Sequence, residues 1–226
     1  MAYKAGTLPR KLCAGCYGGL ELGFACGRGH SFDEAWLHGL IAEIVGSNRD
    51  TRTTDLRKGF AVDALQKLGR GKGRKREVDF ALIESATGAM THCIEAKWAG
   101  SGHCTPKTIL RDIARLAVIS AAHPASLCLF VLAGGKSAVG DLFQKAPLAS
   151  PANRKHGLLH YPYDGGRSMF PLRVDGNNGS SLTMAQRKEL VEYLPTLPRA
   201  VQTTLYAPSH VSTPNWQVHV WRVAAL

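Results

Sequence analysis

Hydrophobic positions along the chain change their period several times, and each change predicts an element. From Ser31 or Asp33, which can cap a helix, apolar residues recur at Trp36, Leu37, Leu40, Ile41, Ile44 and Val45, with Gly46 placed to end the run. A short helix is expected over 60–68. Val78, Phe80 and Leu82 then alternate with Asp79, Ala81 and Ile83, and Ile94, Ala96 and Trp98 alternate with Glu95 and Lys97, as two strands would. Helical spacing returns after Thr105-Pro106 through Ile109, Leu110, Ile113, Leu116 and Ala117. The continuous apolar run 127–132 predicts a strand covered on both faces, ended by Gly134-Gly135, and 136–146 predicts a helix. Beyond Pro147 and Pro151 the pattern thins: a helix over 183–194, a strand over 216–223, and loops in GGRSMF and VDGNNGSS.

The two alternating runs carry the candidate chemistry. Ala86-Thr87-Gly88 fits a three-residue hairpin loop with glycine in a left-handed conformation, pairing Ser85 with Ala89 and setting Asp79 opposite Glu95. Period two then places Asp79, Glu95 and Lys97 on one face. An even two-residue loop would send the carboxylates to opposite faces. Two carboxylates could hold magnesium, with the carbonyl of Ala96 as a further ligand and Lys97 beside the attacking water. A salt-bridge cluster on a half-exposed sheet face is the structural alternative.

Composition narrows the partners. The formal net charge of +11 and pI near 9.6 favour a polyanion, either nucleic acid or an anionic membrane surface. No apolar run is long enough to span a bilayer and no secretory leader is evident, so a soluble cytoplasmic protein with no membrane partner is expected. Ten basic residues against three aspartates crowd 49–76, just before the hairpin. Within that stretch the glycine-interleaved Arg70, Lys72, Arg74, Lys75 and Arg76 read as a phosphate clamp or as a solvated loop. Lys107, Arg111, Asp112 and Arg115 fall on or near the polar side of the next helix, where the basic residues offer further phosphate contacts or the face is a plain solvated surface.

Six cysteines in such a chain argue against a disulfide framework, and Cys93, Cys104 and Cys128 read as core residues. Cys13, Cys16, Cys26 and His30 could supply four ligands to a structural Zn²⁺; otherwise they belong to a glycine-rich segment with reduced, buried thiols. Glu43 lies beside the apolar stripe of the first helix, where it could reach a metal or simply face water, and Glu34 and His38 are weaker candidates. His156 and His160 read as structural or exposed.

Val78-Asp79 and Glu95-Ala96-Lys97, preceded by a helix carrying Glu43, resemble the PD-(D/E)xK nuclease superfamily over about residues 31–146. Valine stands where the motif's name has proline. The resemblance implies an α/β restriction-endonuclease-like fold, a mixed central sheet flanked by helices. It also implies metal-dependent DNA cleavage with Mg²⁺ or Mn²⁺, in which Asp79 and Glu95 bind metal, Lys97 serves the water and Glu43 is an accessory acid. Residues 1–30 are then an N-terminal Cys-rich segment, 31–146 a nuclease core and 147–226 a C-terminal extension packing on it. The expected protein is a DNA endonuclease of defence, restriction or mobile-element biology, able to act as a homodimer. A non-catalytic nucleic-acid-binding module is the alternative.

Overall fold

The computed structural model describes residues 7–66, 75–148, 157–159, 165–173, 182–194, 196–206 and 215–226. Arg70, Lys72 and Arg74 of the basic loop, and His156 and His160, lie outside the described residues. The chain runs α1 (Leu8–Ala25), α2 (Glu34–Ser47), β1 (Thr54–Ala61), β2 (Glu77–Glu84), β3 (Met90–Ala99), α3 (Pro106–Ala122), β4 (Leu127–Gly135), α4 (Lys136–Leu142), β5 (Arg167–Pro171), α5 (Met184–Tyr193), β6 (Ala200–Tyr206) and β7 (Trp216–Ala225). These build one α/β fold around a mixed seven-stranded sheet of order β1-β2-β3-β4-β7-β6-β5. Among the described strands only β3 and β4 pair in parallel, with α3 as the crossover that such a pair requires. No described helix is long and apolar enough to cross a membrane.

Two cores sandwich the sheet. Phe80, Leu82, Ile94, Ala96, Leu129 and Val131 point to one side, where α1 and α2 cover them. Cys93, Cys128, Phe130, Leu132 and Trp221 point to the other, beneath Ile109, Ile113 and Leu116 of α3. β4 contributes to both cores, which explains its unbroken apolar run. The caps hold the helices where the pattern put them: Asp33 accepts the Trp36 N–H at 2.8 Å, and Thr105 and Thr183 each close a capping box.

Four elements depart from expectation, each for a physical reason. Residues 8–25 form one helix despite four glycines, each costing about 1 kcal/mol of helix propensity. Packing compensates: a Cβ at Gly15 or Gly19 would lie 2.7 Å from Ile44 or 2.6 Å from Leu40, so the glycines let α1 and α2 approach closely. The short helix expected over 60–68 is instead the end of β1 and a single 3-10 turn at Asp63–Leu65. β1 is an edge strand, and its charged Arg57 and Lys58 erase the alternation that would reveal it. The segment GGRSMF holds β5, the opposite edge, and β6 pairs with both β5 and β7. Residues 147–226, expected as an extension packing on the core, thus supply three strands of the same sheet.

The N-terminal cysteines do not gather. Cys13 and Cys26 lie thirteen positions apart along α1 and its cap, about 20 Å at helical rise. Cys13 is buried against the sheet, its thiol donating to the carbonyls of Tyr206 and Val218 at 3.3 Å. Burial pushes the Cys16 thiol up to about 12, far from a metal-binding thiolate, while Cys26 is exposed. Cys93, Cys104 and Cys128 are buried.

At the far end of the β3–β4 pair, Gly134 faces Ala99, and a Cβ there would sit 2.8 Å from the Ala99 carbonyl oxygen. Backbone cannot yield as a side chain can. Gly134→Ala is therefore expected to destabilise by roughly 1–3 kcal/mol, read as a lower midpoint in urea unfolding.

Candidate active site

The hairpin reaches the expected pairing by a different route. Its loop has four residues, Ser85 to Gly88, closed by the Glu84 N–H donating to the Ala89 carbonyl at 2.8 Å, with Gly88 at φ 72°. Such an even loop, continued regularly, would set Ile94 opposite Asp79. A β-bulge prevents this: Leu82 pairs with His92 but Ile83 pairs with Met90, leaving Thr91 as an extra residue whose hydroxyl donates to the Leu82 carbonyl at 3.2 Å. The ladder then runs through Phe80 opposite Ile94, one step from Asp79 and Glu95.

There the strands part. The Ala96 N–H donates to the Asp79 carboxylate at 2.8 Å. Val78 and Phe80, which regular alternation would put on one face, pack into opposite cores, so β2 rotates at Asp79. Glu95 and Lys97 share the α3 face by period two, but Asp79 joins them through this fork rather than by simple alternation.

Both flanking helices deliver charged groups to the fork. From α2, His38 Nε2 lies 3.6 Å from Asp79 Oδ2 and Glu34 Oε1 lies 3.5 Å from Lys97 Nζ. From α3, Arg115 Nη2 lies 3.0 Å from Glu95 Oε1, while Asp112 sits 3.3 Å from Arg115 and 3.5 Å from Lys97. Arg115 also donates to the Glu77 carbonyl. Phe32, packed on Trp36, Trp98 and Trp216 at centroid distances of 5.1, 6.2 and 5.0 Å, seats the start of α2 against the end of β3.

By formal count four carboxylates, Glu34, Asp79, Glu95 and Asp112, face two permanent cations, Lys97 and Arg115, in a largely buried site. Burial pushes Glu95, which is 1% exposed, well above the ordinary carboxylate range, and Asp112 and Asp79 add to this against the pull of Arg115 and Lys97. Burial likewise raises Asp112 despite its two cationic neighbours. Desolvation disfavours the Lys97 ammonium, but Asp112, Asp79, Glu34 and Glu95 outweigh it and hold Lys97 above its usual value. Among the described residues, Glu95 Oε1, Asp112 Oδ2 and His38 Nε2 are buried without a hydrogen-bond partner; the short Arg115–Glu95 contact is close but poorly aligned.

No family model, curated protein or solved structure matches the chain. Its chemistry has to be read from its own residues.

Asp79 opens into a cleft of about 410 Å³. Its walls include His38, Lys58 and Arg115, together with Lys75 and Arg76 from the end of the basic loop and Tyr193 from α5. Asp79 is thus bordered by cations, an arrangement that can hold an anion beside a carboxylate.

Other expected site residues lie elsewhere. Glu43 follows Glu34 by nine residues, about 900° of helical rotation, and so lies on the opposite side of α2. It is exposed and lines a separate groove between α1 and α2. The α2 carboxylate at the fork is instead Glu34. Lys107 and Arg111 are both paired with Glu189 of α5, at 3.0 Å for Lys107. The Ala96 carbonyl accepts from Lys97 Nζ at 3.0 Å, so a protein cation already engages it. Asp112 and Arg115, expected on or near the polar side of α3, are instead buried and largely buried, respectively, at the fork, and Asp112 does fall on the apolar stripe of α3, three positions after Ile109 and four before Leu116.

Because Glu95 and Asp112 lie above their unfolded values, folding is favoured at low pH and loses stability as pH rises through the ordinary carboxylate range toward the raised values. Arg115 offsets that loss. Arg115→Ala is expected to cost roughly 3–5 kcal/mol at neutral pH and distinctly less near pH 4, where the raised carboxyls take up protons. Urea titrations at the two pH values check it, and an equal loss at both would contradict the raised carboxyls.

Proposed function

We propose that this protein is a metal-dependent nuclease hydrolysing DNA phosphodiester bonds, most simply an endonuclease of defence, restriction or mobile-element biology. In this reading its fold is restriction-endonuclease-like and Asp79, Glu95 and Lys97 are its PD-(D/E)xK signature. The observation that carries it is the fork between β2 and β3, where a centre with more carboxylates than cations reaches, through Asp79, a cleft lined by Lys58, Lys75, Arg76 and Arg115.

Among the described residues no three His, Cys, Asp or Glu side chains form a metal-ligand set. Magnesium commonly uses one or two carboxylates and fills its remaining positions with water and substrate oxygens, so Asp79 and Glu95 fit as its protein ligands. The formal excess of carboxylates over cations, with Asp79 near enough to Glu95 to raise its carboxyl, supports the same assignment. When bound, the divalent cation lowers the pKa of water and neutralises charge on the phosphoryl oxygens.

The chain's own groups do the rest. Lys97, held as an ammonium by its carboxylate neighbours, stabilises negative charge rather than accepting a proton. Asp112 and Glu34 restrain its Nζ from two sides, and Arg115 and the Ala96 N–H orient Glu95 and Asp79. Lys58, Lys75 and Arg76 bind the phosphate backbone along the cleft.

A second reading, a nucleic-acid-binding module without catalysis, is favoured by one observation: a protein cation, Arg115, already lies against Glu95. Cleavage separates the two. Supercoiled and linear DNA are expected to be cut with Mg²⁺ and spared with EDTA. Asp79→Ala and Lys97→Ala should each slow cutting by about 10²-fold or more, whereas Glu43→Ala, on the far side of α2, should leave it unchanged. A wild-type protein that binds DNA but never cuts it would favour the binding module.

Metal can also be read without activity. Mg²⁺ at about 100 times its dissociation constant should stabilise the wild type by about 2.7 kcal/mol. In thermal melts that shift should disappear in Asp79→Ala.

A further inference from the structure

The C-terminal helix has a place in the cleft that its sequence does not announce. Glu189 tethers α5 to α3 by pairing with Lys107 and Arg111. Four residues on, Tyr193 forms part of the wall of the Asp79 cleft. The Arg76 guanidinium lies over the Tyr193 ring at 4.3 Å from its centroid, and that of Arg111 at 5.4 Å.

Arg76 is fixed along its whole length. The Gln66 amide donates to the Arg76 carbonyl at 3.0 Å, its oxygen accepts the Arg76 N–H at 3.3 Å, and the Val62 N–H donates to the same carbonyl at 3.3 Å. At the other end, Arg76 Nη1 donates to the Leu65 carbonyl at 3.2 Å while the ring of Tyr193 supports the guanidinium plane. An arginine held this way loses little conformational freedom on meeting a phosphate, and its remaining donors suit a phosphate's oxygens.

We propose that α5 is part of the nucleic-acid clamp: Tyr193 is a positioning residue that holds Arg76 flat as a backbone-phosphate contact beside Asp79. This rests on the nucleic-acid reading of the cleft and not on hydrolysis. Lys107 and Arg111 then serve substrate capture indirectly, by anchoring through Glu189 the helix that carries Tyr193.

The test is fluorescence anisotropy of labelled single-stranded and duplex DNA oligonucleotides with the full chain, Ca²⁺ replacing Mg²⁺, across a salt series. Tyr193→Ala should weaken binding roughly five- to tenfold, and Tyr193→Phe, which keeps the ring, should bind as the wild type does. Arg76→Ala should weaken binding similarly and reduce the slope of log affinity against log salt by about 0.7–0.9, while Tyr193→Ala, which keeps the charge, should leave the slope near the wild-type value. The double variant should bind no more weakly than Arg76→Ala, because both changes remove one contact.

If melting shows that Tyr193→Ala is unfolded, Tyr193→Leu, which keeps apolar bulk without the aromatic face, carries the same comparison. Wild-type affinity in Tyr193→Ala, full additivity in the double variant, equal loss in Tyr193→Phe, or no binding by the wild type would each overturn the clamp. Cutting is scored separately in Mg²⁺. A protein that binds in the expected pattern without cutting upholds the clamp and overturns hydrolysis, whereas one that cuts while Tyr193→Ala keeps wild-type affinity overturns the clamp alone.

Discussion

Arg115 is the constraint on which the fork depends. Its guanidinium meets the Glu95 carboxylate, the Asp112 carboxylate and the Glu77 carbonyl, so one side chain joins α3 to both β2 and β3 where those strands separate. Burying this much charge is costly, and a set of well-packed apolar residues would stabilise the same region at least as well. The carboxylates gathered there outnumber the cations, and the proposed function rests on that excess.

The rest of the architecture brings groups to that centre from separate parts of the chain. α2 approaches from one face of the sheet with Glu34 and His38, seated by the aromatic contacts of Phe32. α3 approaches from the other with Asp112 and Arg115. The C-terminal third continues the sheet through β7 against β4, and returns to the cleft through α5 and Tyr193. Residues separated by more than 150 positions, such as His38 and Tyr193, therefore line one cleft. The proposed clamp follows from that convergence, since Arg76 is held by residues before it in the chain and by an aromatic ring far after it.

Alternation and helical spacing made β2, β3, β4, β7, α2 and α3 legible, because each has apolar positions that must be buried whatever its neighbours are. The same spacing brought Asp79, Glu95 and Lys97 to notice. What it could not show were elements whose formation depends on their neighbours. α1 tolerates its glycines only because α2 packs against them, and β1 is a polar edge strand whose backbone bonds to β2 hold it in place. Paired thiols in α1 suggested zinc by spacing, but a continuous helix carries Cys13 and Cys26 apart.

The hairpin shows the division most clearly. Residue type and period two alone determined that 77–98 would fold back on itself and carry two carboxylates and a lysine. Tertiary structure decided how they meet: an even loop with a bulge at Thr91, a rotation of β2 at Asp79, and a fork filled from α2 and α3. Local sequence encodes which face of an element seeks the core, because burial acts on each side chain separately. It does not encode which charged residue of a distant helix will stand opposite, because a charge is placed by what surrounds it, and for Glu95 those surroundings are Arg115 and Asp112.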